Sequence, residues 1–258
     1  MEQILLPSIV ISVYVAFTSK TFMNGRKIML KRFEDKIGSQ NGEAGILDYL
    51  FSVIEPETRT FVEFGYGGEF NCYNLLQNHG WGGLLIDSNP VNYYLSEAMF
   101  GTRTDVKRVI AEITPENIDD IITENLDSDV DLLSIDIDGL DYHVWKQITS
   151  INPQVVVIEY NASMGDSRSI TIPNIPHFNR HNFNGAYHGA SLAALTKLAK
   201  TKGMKLVGCD SMGVNAFFVS EDADFPEVKV KDAYVDSQYR RYWREVIEII
   251  LKFGVIEV

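Results

Sequence analysis

The feature that most constrains the fold is an apolar strand pattern that ends in a cluster of glycines. Residues 60–74 read TFVEFGYGGEFNCYN, in which a short apolar run leads into Gly65, Gly67 and Gly68. Glycine lets the backbone turn tightly and approach a bound ligand closely. We predict a strand at Phe61–Phe64, then a turn and the start of a helix. A helix that begins there presents free N–H groups and its positive dipole end to an anionic group.

Strand and helix patterns alternate along the chain from residue 39 onward. Five apolar runs have the length of buried strands, and apolar residues at helical spacing recur between these runs. Val91, Tyr94, Leu95 and Met99 are predicted to share one helix face, and Thr114–Pro115 to cap and open the next helix. The predicted strands are Phe61–Phe64, Gly83–Ile86, Val106–Ile110, Asp131–Ile137 and Gln154–Ile158. Five strand–helix units in series predict a parallel, doubly wound α/β sheet.

The end of this region departs from the parallel pattern. After a long irregular stretch, roughly residues 162–187, a predicted helix at Ser191–Lys202 leads to two apolar runs. These runs, Met204–Cys209 and Val214–Val219, are close enough in sequence to pair as an antiparallel hairpin. The predicted fold is therefore a Rossmann-like, doubly wound, mostly parallel seven-stranded sheet with an antiparallel C-terminal hairpin.

Length and composition fit one α/β domain with extensions. The chain has 258 residues, of which 45% are hydrophobic and 22% charged, as in a soluble globular protein. We predict an α/β domain at 39–220, a helical N-terminal extension at 1–38 and a helical C-terminal extension at 221–258. The apolar run at 4–17 is shorter than the roughly 20 residues of a membrane span and contains Pro7. We expect it to pack or to mediate oligomerisation; the alternative is an anchor or membrane-surface segment.

The net charge and the cysteine content indicate which classes of partner and which cellular compartment to expect. The formal net charge is −12, and an acidic surface repels phosphate backbones, so nucleic acid is a poor partner. Cys72 and Cys209 lack metal-binding spacing, and we expect them to be free, partly buried thiols. Free thiols favour a reducing compartment, so we predict a cytoplasmic protein.

Polar residues stand where the predicted strands end, which is where open parallel sheets bind ligands. Glu63 and Gly65-Tyr66-Gly67 follow the first strand, Asp87 and Ser88 the second, and Glu112 the third. An acid about 20 residues beyond a glycine turn can accept the two hydroxyls of a ribose. The pattern therefore indicates a nucleoside-type cofactor, with Asp87 on the ribose and Glu112 near the base. The alternative for Asp87 is a solvated loop residue.

The order of these features resembles the class I S-adenosylmethionine-dependent methyltransferases. Their first motif, an acid followed by glycines at alternate positions, is matched by Glu63, Gly65 and Gly67. Glu69 stands where a third glycine often lies. The terminal hairpin matches the reversed last strand of that class, which nicotinamide-binding Rossmann domains normally lack. The resemblance covers roughly residues 39–220 and implies S-adenosylmethionine as the cofactor.

Within that class, four segments are similar to the FkbM-type branch and its uncharacterised relatives. They are Ser39–Glu43, Ser134–Gly139, Ile158–Asn161 and Gly189–Leu192. FkbM-type enzymes methylate hydroxyl groups, so the resemblance implies an O-methyltransferase that acts on a small molecule or sugar. It also implies that Gln40 binds the cofactor.

The acids after the fourth and fifth strands allow two interpretations. Asp136 and Asp138 are predicted to point to one face because side chains alternate along a strand. With Glu159 and Asn161 they resemble the magnesium site of catechol-type O-methyltransferases, which implies Asp138, Glu159 and Asn161 as ligands of Mg²⁺. In the metal-free alternative, Asp136 holds the methionine part of the cofactor, while Asp138 or Glu159 positions the acceptor. A purely structural alternative makes Asp141 the cap of the helix that follows and Glu159 a buried hydrogen-bonding residue.

The long loop after the fifth strand is predicted to cover the site. Three of the five histidines fall in or beside it, and His188 borders the helix that follows. We predict His188 as the general base, so that Asp136, Asp138 and His188 are the catalytic residues. The alternative for each of these histidines is an ordinary polar loop residue.

Two other functions, a non-catalytic scaffold and a nicotinamide-dependent enzyme, are alternatives to a methyltransferase. A non-catalytic interaction or scaffold domain would keep the fold and use the N-terminal apolar segment and the C-terminal helix as partner surfaces. The same two segments are the expected contacts of a homo-oligomer. The hairpin and the missing third glycine argue against a nicotinamide-dependent enzyme. The leading hypothesis is a methyltransferase whose partner is a small-molecule or sugar acceptor.

Overall fold

The strands form one large sheet and one small one. The computed structural model describes residues 29–183, 185–237 and 246–258. The strands are β1 (Thr60–Phe64), β2 (Gly82–Asp87), β3 (Val106–Ile110), β4 (Leu132–Ile135), β5 (Val155–Glu159), β6 (Ile170–Thr171), β7 (Met204–Cys209), β8 (Asn215–Ser220) and β9 (Ile256–Glu257). The large sheet has the order β3-β2-β1-β4-β5-β8-β7, and β6 pairs with β9. Strands β1 to β5 are parallel and β8 is antiparallel to both β5 and β7, which confirms the predicted fold and hairpin.

Helices cover both faces of the large sheet. They are α1 (Glu43–Val53), α2 (Tyr73–Asn78), α3 (Pro90–Phe100), α4 (Ile118–Asn125), α5 (Asp141–Gln147), α6 (Leu192–Thr201), α7 (Val230–Ala233) and α8 (Val246–Phe253). Short 3₁₀ turns lie at Leu30–Arg32, Ala162–Met164 and Arg180–Phe183. Successive strand residues enter different cores: Val62 belongs to the one that contains residues of α4, α5 and α6, and Phe61 to the one with α1 and α2. This alternation produces the doubly wound architecture.

Three helix predictions need correction. Helix α2 begins at Tyr73, well after the glycine turn, and α4 begins at Ile118 after a turn at residues 115–117 rather than at Thr114–Pro115. The apolar residues predicted to share one face of α3 are exposed: Val91, Tyr94, Leu95 and Met99. Helix α3 buries Ser96 and Phe100 instead. The side chain of Asn89 caps α3 by accepting a hydrogen bond from Val91 N. The helical spacing is present, but the face that it defines is not the one that meets the sheet.

Some predictions concern segments that are only partly described. The predicted N-terminal packing segment at 4–17 lies outside the described residues, as does the beginning of the predicted C-terminal helix. Cys72 and Cys209 are buried free cysteines, as predicted. None of the helices in the described parts of the chain has the length and apolar character needed to cross a membrane. The domain boundaries at 38/39 and 220/221 remain predictions.

The chain after residue 246 braces the long loop that follows β5. Strand β9 pairs with β6 of that loop, with Thr171 opposite Ile256. The hydroxyl of Tyr187 donates to the carbonyl oxygen of Gly254 at 2.5 Å, and its ring lies 5.4 Å from that of Phe253. The segment after residue 246 therefore holds the loop at two places, at β6 and at Tyr187 near the end of the loop.

Tyr187→Phe tests this brace. The variant removes one hydroxyl donor and leaves the aromatic contacts, so we expect a loss of about 1 kcal/mol in the free energy of unfolding. The loop should also become more susceptible to limited proteolysis. Urea unfolding and timed digestion measure the two effects. An unchanged unfolding midpoint together with an unchanged digestion pattern would show that the hydroxyl contributes nothing to the brace.

Candidate functional site

The glycine turn lies directly against the end of β4. Gly65 has a φ of +74°, and a Cβ at this position would lie 1.5 Å from the carbonyl oxygen of Asp136. Only glycine fits at position 65, because the turn there passes directly against the backbone of Asp136. Gly67 also has a positive φ, +58°, but no atom of the described residues lies within 4 Å of a Cβ built there. The turn thus closes tightly on one side and leaves open space on the other, where a ligand can approach the backbone.

Glu63 occupies the N–H groups that were predicted to face an anionic ligand. Its carboxylate accepts hydrogen bonds from Asn71 N at 2.6 Å and from Cys72 N at 3.0 Å, just before α2. Burial raises the pKa of Glu63, and these hydrogen bonds oppose the rise. An anion-binding role for the start of α2 stays a prediction that these two amides do not support. The amides are satisfied within the protein, and the carboxylate of Glu63 holds the turn in shape.

Asp87 stands at the end of β2, as predicted, and is tied to the glycine turn. Its Oδ2 accepts from Gly67 N at 3.2 Å and from Asn92 Nδ2 at 3.0 Å. Its Oδ1 accepts from Asn89 N at 2.8 Å. An ionised carboxylate has about four lone-pair sites, so acceptor capacity remains for a ligand hydroxyl. These hydrogen bonds fix the carboxylate at the end of β2, and its role toward a ribose stays a prediction.

Two cavities meet at the turn. The β2 cavity has a volume of about 750 Å³ and includes Asp87, Ser88 and Glu112 in its lining. The β5 cavity has a volume of about 540 Å³ and extends toward the end of β5. Both are lined by Gly65, Gly67, Asp136 and Asp138. Each predicted cofactor-binding residue lines at least one of them: Gln40, Glu63, Gly65, Tyr66, Gly67, Asp87, Ser88, Glu112 and Asp136.

The turn after β4 differs from the extended strand that was predicted. Strand β4 ends at Ile135, and Asp138 has a φ of +54°, so the expected alternation of side chains does not apply there. Asp141, predicted to cap α5, instead accepts hydrogen bonds from Ile137 N and Gly139 N, both at 2.9 Å. These bonds fix the turn. Asp136 and Asp138 line both cavities nevertheless, because the turn itself forms their common wall.

Asn161 supports the loop rather than facing a cavity. Its Nδ2 donates to the carbonyl oxygens of Ala186 at 2.8 Å and His188 at 3.0 Å. Its Oδ1 accepts from Ser163 N at 3.0 Å. The side chain is fully buried and is absent from the described lining of both cavities. A magnesium site that uses Asn161 is therefore not supported, because both ends of the amide bind backbone groups.

His188 lies behind Glu159. Its side chain is fully buried, and its Nδ1 is 3.2 Å from Oε2 of Glu159. Glu159 lines the β5 cavity, whereas His188 is not part of the described lining of either cavity. The histidine predicted as a direct base thus contacts the carboxylate that faces the cavity. Its position suits it to orient that carboxylate.

Comparison with known proteins identifies the family. A family model described as the methyltransferase FkbM domain matches residues 43–184, more than half of the chain. The chain belongs to the FkbM methyltransferase family. As a member of the FkbM family it is an S-adenosylmethionine-dependent methyltransferase, as the resemblance implied. No curated protein sequence matches it significantly.

Three solved structures are distantly similar to this FkbM-family chain. The SAH-bound methyltransferase PaMTH1 of Podospora anserina has 13% identity and a TM-score of 0.48, with 86% of this chain and 100% of that chain covered. A Clostridium acetobutylicum S-adenosylmethionine-dependent methyltransferase has 8% identity and a TM-score of 0.47, with coverages of 81% and 99%. The SAH-bound N-terminal domain of EvdMO1 has 12% identity and a TM-score of 0.44, with coverages of 70% and 80%.

An excess of acidic over basic side chains lines the β5 cavity of the FkbM-family chain. The acidic residues in its lining are Glu43, Glu63, Glu69, Asp136, Asp138 and Glu159, and Arg180 is the one basic residue among the described lining residues. Arg180 forms an ion pair with Asp138. Burial raises the pKa of Asp136 well above its ordinary value; the charges of Glu159 and Asp141 raise it further, and Arg180 opposes them. A cationic ligand would offset this charge.

Several cavity residues were not predicted. Asn215 lies on β8 directly opposite Glu159, and Asn71 lies between the glycine turn and α2. The register of the predicted hairpin against β5 would have identified Asn215. Arg180 comes from a loop without periodicity, and no sequence signal places its side chain in the cavity.

Proposed function

We propose that this FkbM-family protein transfers the methyl group of S-adenosylmethionine to a hydroxyl oxygen of a small molecule or sugar. The observation that carries the proposal is the common wall of the two cavities at Gly65, Gly67, Asp136 and Asp138. A cofactor whose adenosine part lies in the β2 cavity and whose methionine part crosses the common wall would thus adjoin an acceptor held in the rest of the β5 cavity. Holding the two reactants side by side lowers the entropic part of the barrier.

The lining residues fit the cofactor by their chemistry. Asp87, Ser88 and Glu112 would hold its adenosine part through hydrogen bonds. Gln40, Tyr66 and Asp136, which line the β5 cavity, would hold its methionine part. The open space above Gly67 admits a ligand close to the backbone. When bound, the cofactor supplies a methyl group that is already activated.

Asp138 and Glu159 are the residues proposed to act on the acceptor. A hydroxyl donates a hydrogen bond to a carboxylate, which aligns the oxygen and favours loss of the proton. As the oxygen–methyl bond forms, the sulfur–methyl bond breaks, S-adenosylhomocysteine leaves, and the hydroxyl proton passes to the carboxylate of Asp138 or Glu159. His188 and Asn161 position the end of β5 and the loop around Glu159.

The cavity suits an acceptor with several hydroxyls. Besides its carboxylates, the lining contains the side-chain amides of Asn71 and Asn215. Carboxylates accept hydrogen bonds from hydroxyls, and amides both accept and donate them. A sugar or polyol can use both kinds of group at once. This polar lining supports a hydroxyl-rich acceptor over an apolar one.

A transfer assay tests the proposal. The purified full-length protein is incubated with S-adenosylmethionine that carries an isotopically labelled methyl group and with panels of hydroxyl, amine and thiol acceptors. Mass spectrometry then identifies the labelled products. We expect label on oxygen in sugar or small-molecule acceptors. Labelling confined to nitrogen or sulfur would contradict the proposal.

Asp87→Ala should weaken binding of S-adenosylhomocysteine by about 10- to 100-fold, because hydrogen bonds to a charged acceptor are worth about 1.5–3 kcal/mol. Isothermal titration measures the affinity. Asp222→Ala, in an exposed turn after β8, is the matched control and should bind like the unaltered protein. Equal affinities for the two variants would remove Asp87 from the cofactor site.

A further inference from the structure

We propose that Asp138, Glu159 and His188 bind a divalent transition-metal ion, such as Mn²⁺, beside the β5 cavity. One possible ligand atom from each residue lies within 4.8 Å of those of the other two. Nδ1 of His188 is 3.2 Å from Oε2 of Glu159. Bonds of about 2.0–2.2 Å to a common ion place ligand atoms roughly 3–4 Å apart. The three residues therefore need to close by at most roughly 1–2 Å to hold an ion.

The chain segments that carry these residues are fixed to one another. Asp141 holds the turn of Asp138 by its bonds to Ile137 N and Gly139 N. Asn161, two residues after Glu159, holds the loop at the carbonyl oxygen of His188. Gly189 N then donates to the carbonyl oxygen of Gly139 at 2.7 Å, which joins the loop to the turn. Supports of this kind keep metal ligands oriented before the ion arrives.

A second observation indicates a ligand in the same cavity. Asn215 is 2% exposed and lies opposite Glu159 on the neighbouring strand. Its Nδ2 donates to Glu43 at 2.8 Å, but no donor among the described residues reaches its Oδ1. A buried acceptor without a partner is costly and points to a donor or cation that the protein itself does not supply. A hydrated metal ion or its bound acceptor would supply one.

The ligand set selects the kind of metal. Two carboxylates and one imidazole suit Mn²⁺, Fe²⁺, Co²⁺ or Zn²⁺, whereas Mg²⁺ and Ca²⁺ prefer oxygen ligands alone. Three protein ligands leave coordination positions open, as in catalytic metal sites. On the proposed function, the acceptor hydroxyl would occupy an open position, where the ion would make its proton easier to lose. The proton would pass to the oxygen of Asp138 or Glu159 that does not bind the ion.

Substitution of Arg180 should strengthen metal binding, whereas substitution of a ligand should weaken it. Its guanidinium pairs with Asp138, and a positive charge at that place repels a cation. Arg180→Met removes the charge and frees the carboxylate, so Mn²⁺ should bind several-fold more tightly. Asp138→Asn and His188→Ala each remove a ligand, and each should weaken binding at least tenfold. Asp138 is exposed, so its variant should fold even if the buried His188→Ala does not.

The experiment is a titration of chelator-treated, full-length protein with Mn²⁺, followed by calorimetry and by the electron paramagnetic resonance of free Mn²⁺. We expect one ion per chain. Glu69→Gln removes an exposed carboxylate from the same cavity and should bind Mn²⁺ like the unaltered protein. Absence of stoichiometric binding, or equal affinities for Asp138→Asn and Glu69→Gln, would overturn the inference.

Assays of methyl transfer, together with Mn²⁺ binding, distinguish the metal inference from the proposed function. Chelator-treated protein that methylates a hydroxyl at an undiminished rate would refute a role of the ion in the reaction and leave the proposed function standing. Stoichiometric Mn²⁺ binding that depends on Asp138 would support the metal inference even if the labelled methyl group is found only on nitrogen or sulfur. The latter result would refute O-methylation alone.

Discussion

Glu159→Gln should lower kcat for methyl transfer by about 10²–10⁴-fold, the usual contribution of a group that assists proton removal. The carboxylate lines the β5 cavity and contacts His188, so the neutral amide loses both its charge and part of its hydrogen-bonding capacity. Binding of S-adenosylhomocysteine should change by less than about threefold, because Asp87 and the glycine turn remain intact. Initial rates with a saturating acceptor and calorimetric titrations measure the two quantities separately.

The matched control for this variant is Glu227→Gln. Glu227 is an exposed carboxylate that pairs with Lys200 at 3.0 Å, outside the described lining of both cavities. It loses the same charge, and kcat should stay unchanged. If Glu159→Gln and Glu227→Gln retain equal activity, Glu159 has no part in the reaction. If Glu159→Gln loses affinity for S-adenosylhomocysteine as strongly as activity, Glu159 belongs to the cofactor site instead.

The sequence predicted the positions of strand-end residues well. Asp87 and Glu112 were placed from strand ends alone, and both line the β2 cavity. The physical reason is topological: parallel strands deliver their carboxyl ends to one edge of a sheet, so the order of elements brings those residues together. The hairpin could be predicted equally well, because two apolar runs joined by a short turn have few alternatives to antiparallel pairing.

Side-chain directions outside regular strands were not predictable in the same way. Asp138 was expected to follow the alternation of β4, but its positive φ places it in a turn. Asn161 follows β5 closely, yet its amide binds the loop backbone at Ala186 and His188. These directions depend on contacts between segments far apart in sequence. The period of a strand carries no information about them once the strand has ended.

Helix α3 shows the corresponding limit for helices. The spacing of Val91, Tyr94, Leu95 and Met99 is helical, and a helix is present, but these side chains are exposed. Periodicity identifies residues that share a face; it does not say whether that face meets the sheet.

Gly65→Ala should lower the free energy of unfolding by at least about 3 kcal/mol, a loss in the upper range for single substitutions. An added Cβ would lie 1.5 Å from the carbonyl oxygen of Asp136, whereas real Cβ contacts are longer than 3.0 Å. The clash is with backbone, so the glycine turn or the end of β4 must move by more than an ångström. Such a shift displaces the common wall of both cavities. Urea unfolding and titration with S-adenosylhomocysteine should therefore both show large losses.

Gly80→Ala separates the clash from the backbone conformation. Gly80 has a φ of +70°, close to that of Gly65, but no described atom lies within 4 Å of a Cβ built there. An alanine in the left-handed region costs roughly 1–2 kcal/mol by itself, so Gly80→Ala should lose about that much stability and no cofactor affinity. The excess loss in Gly65→Ala then measures how closely the turn and the end of β4 must approach. Equal losses in the two variants would mean that this approach is not required, and that Gly65 is needed only for its positive φ.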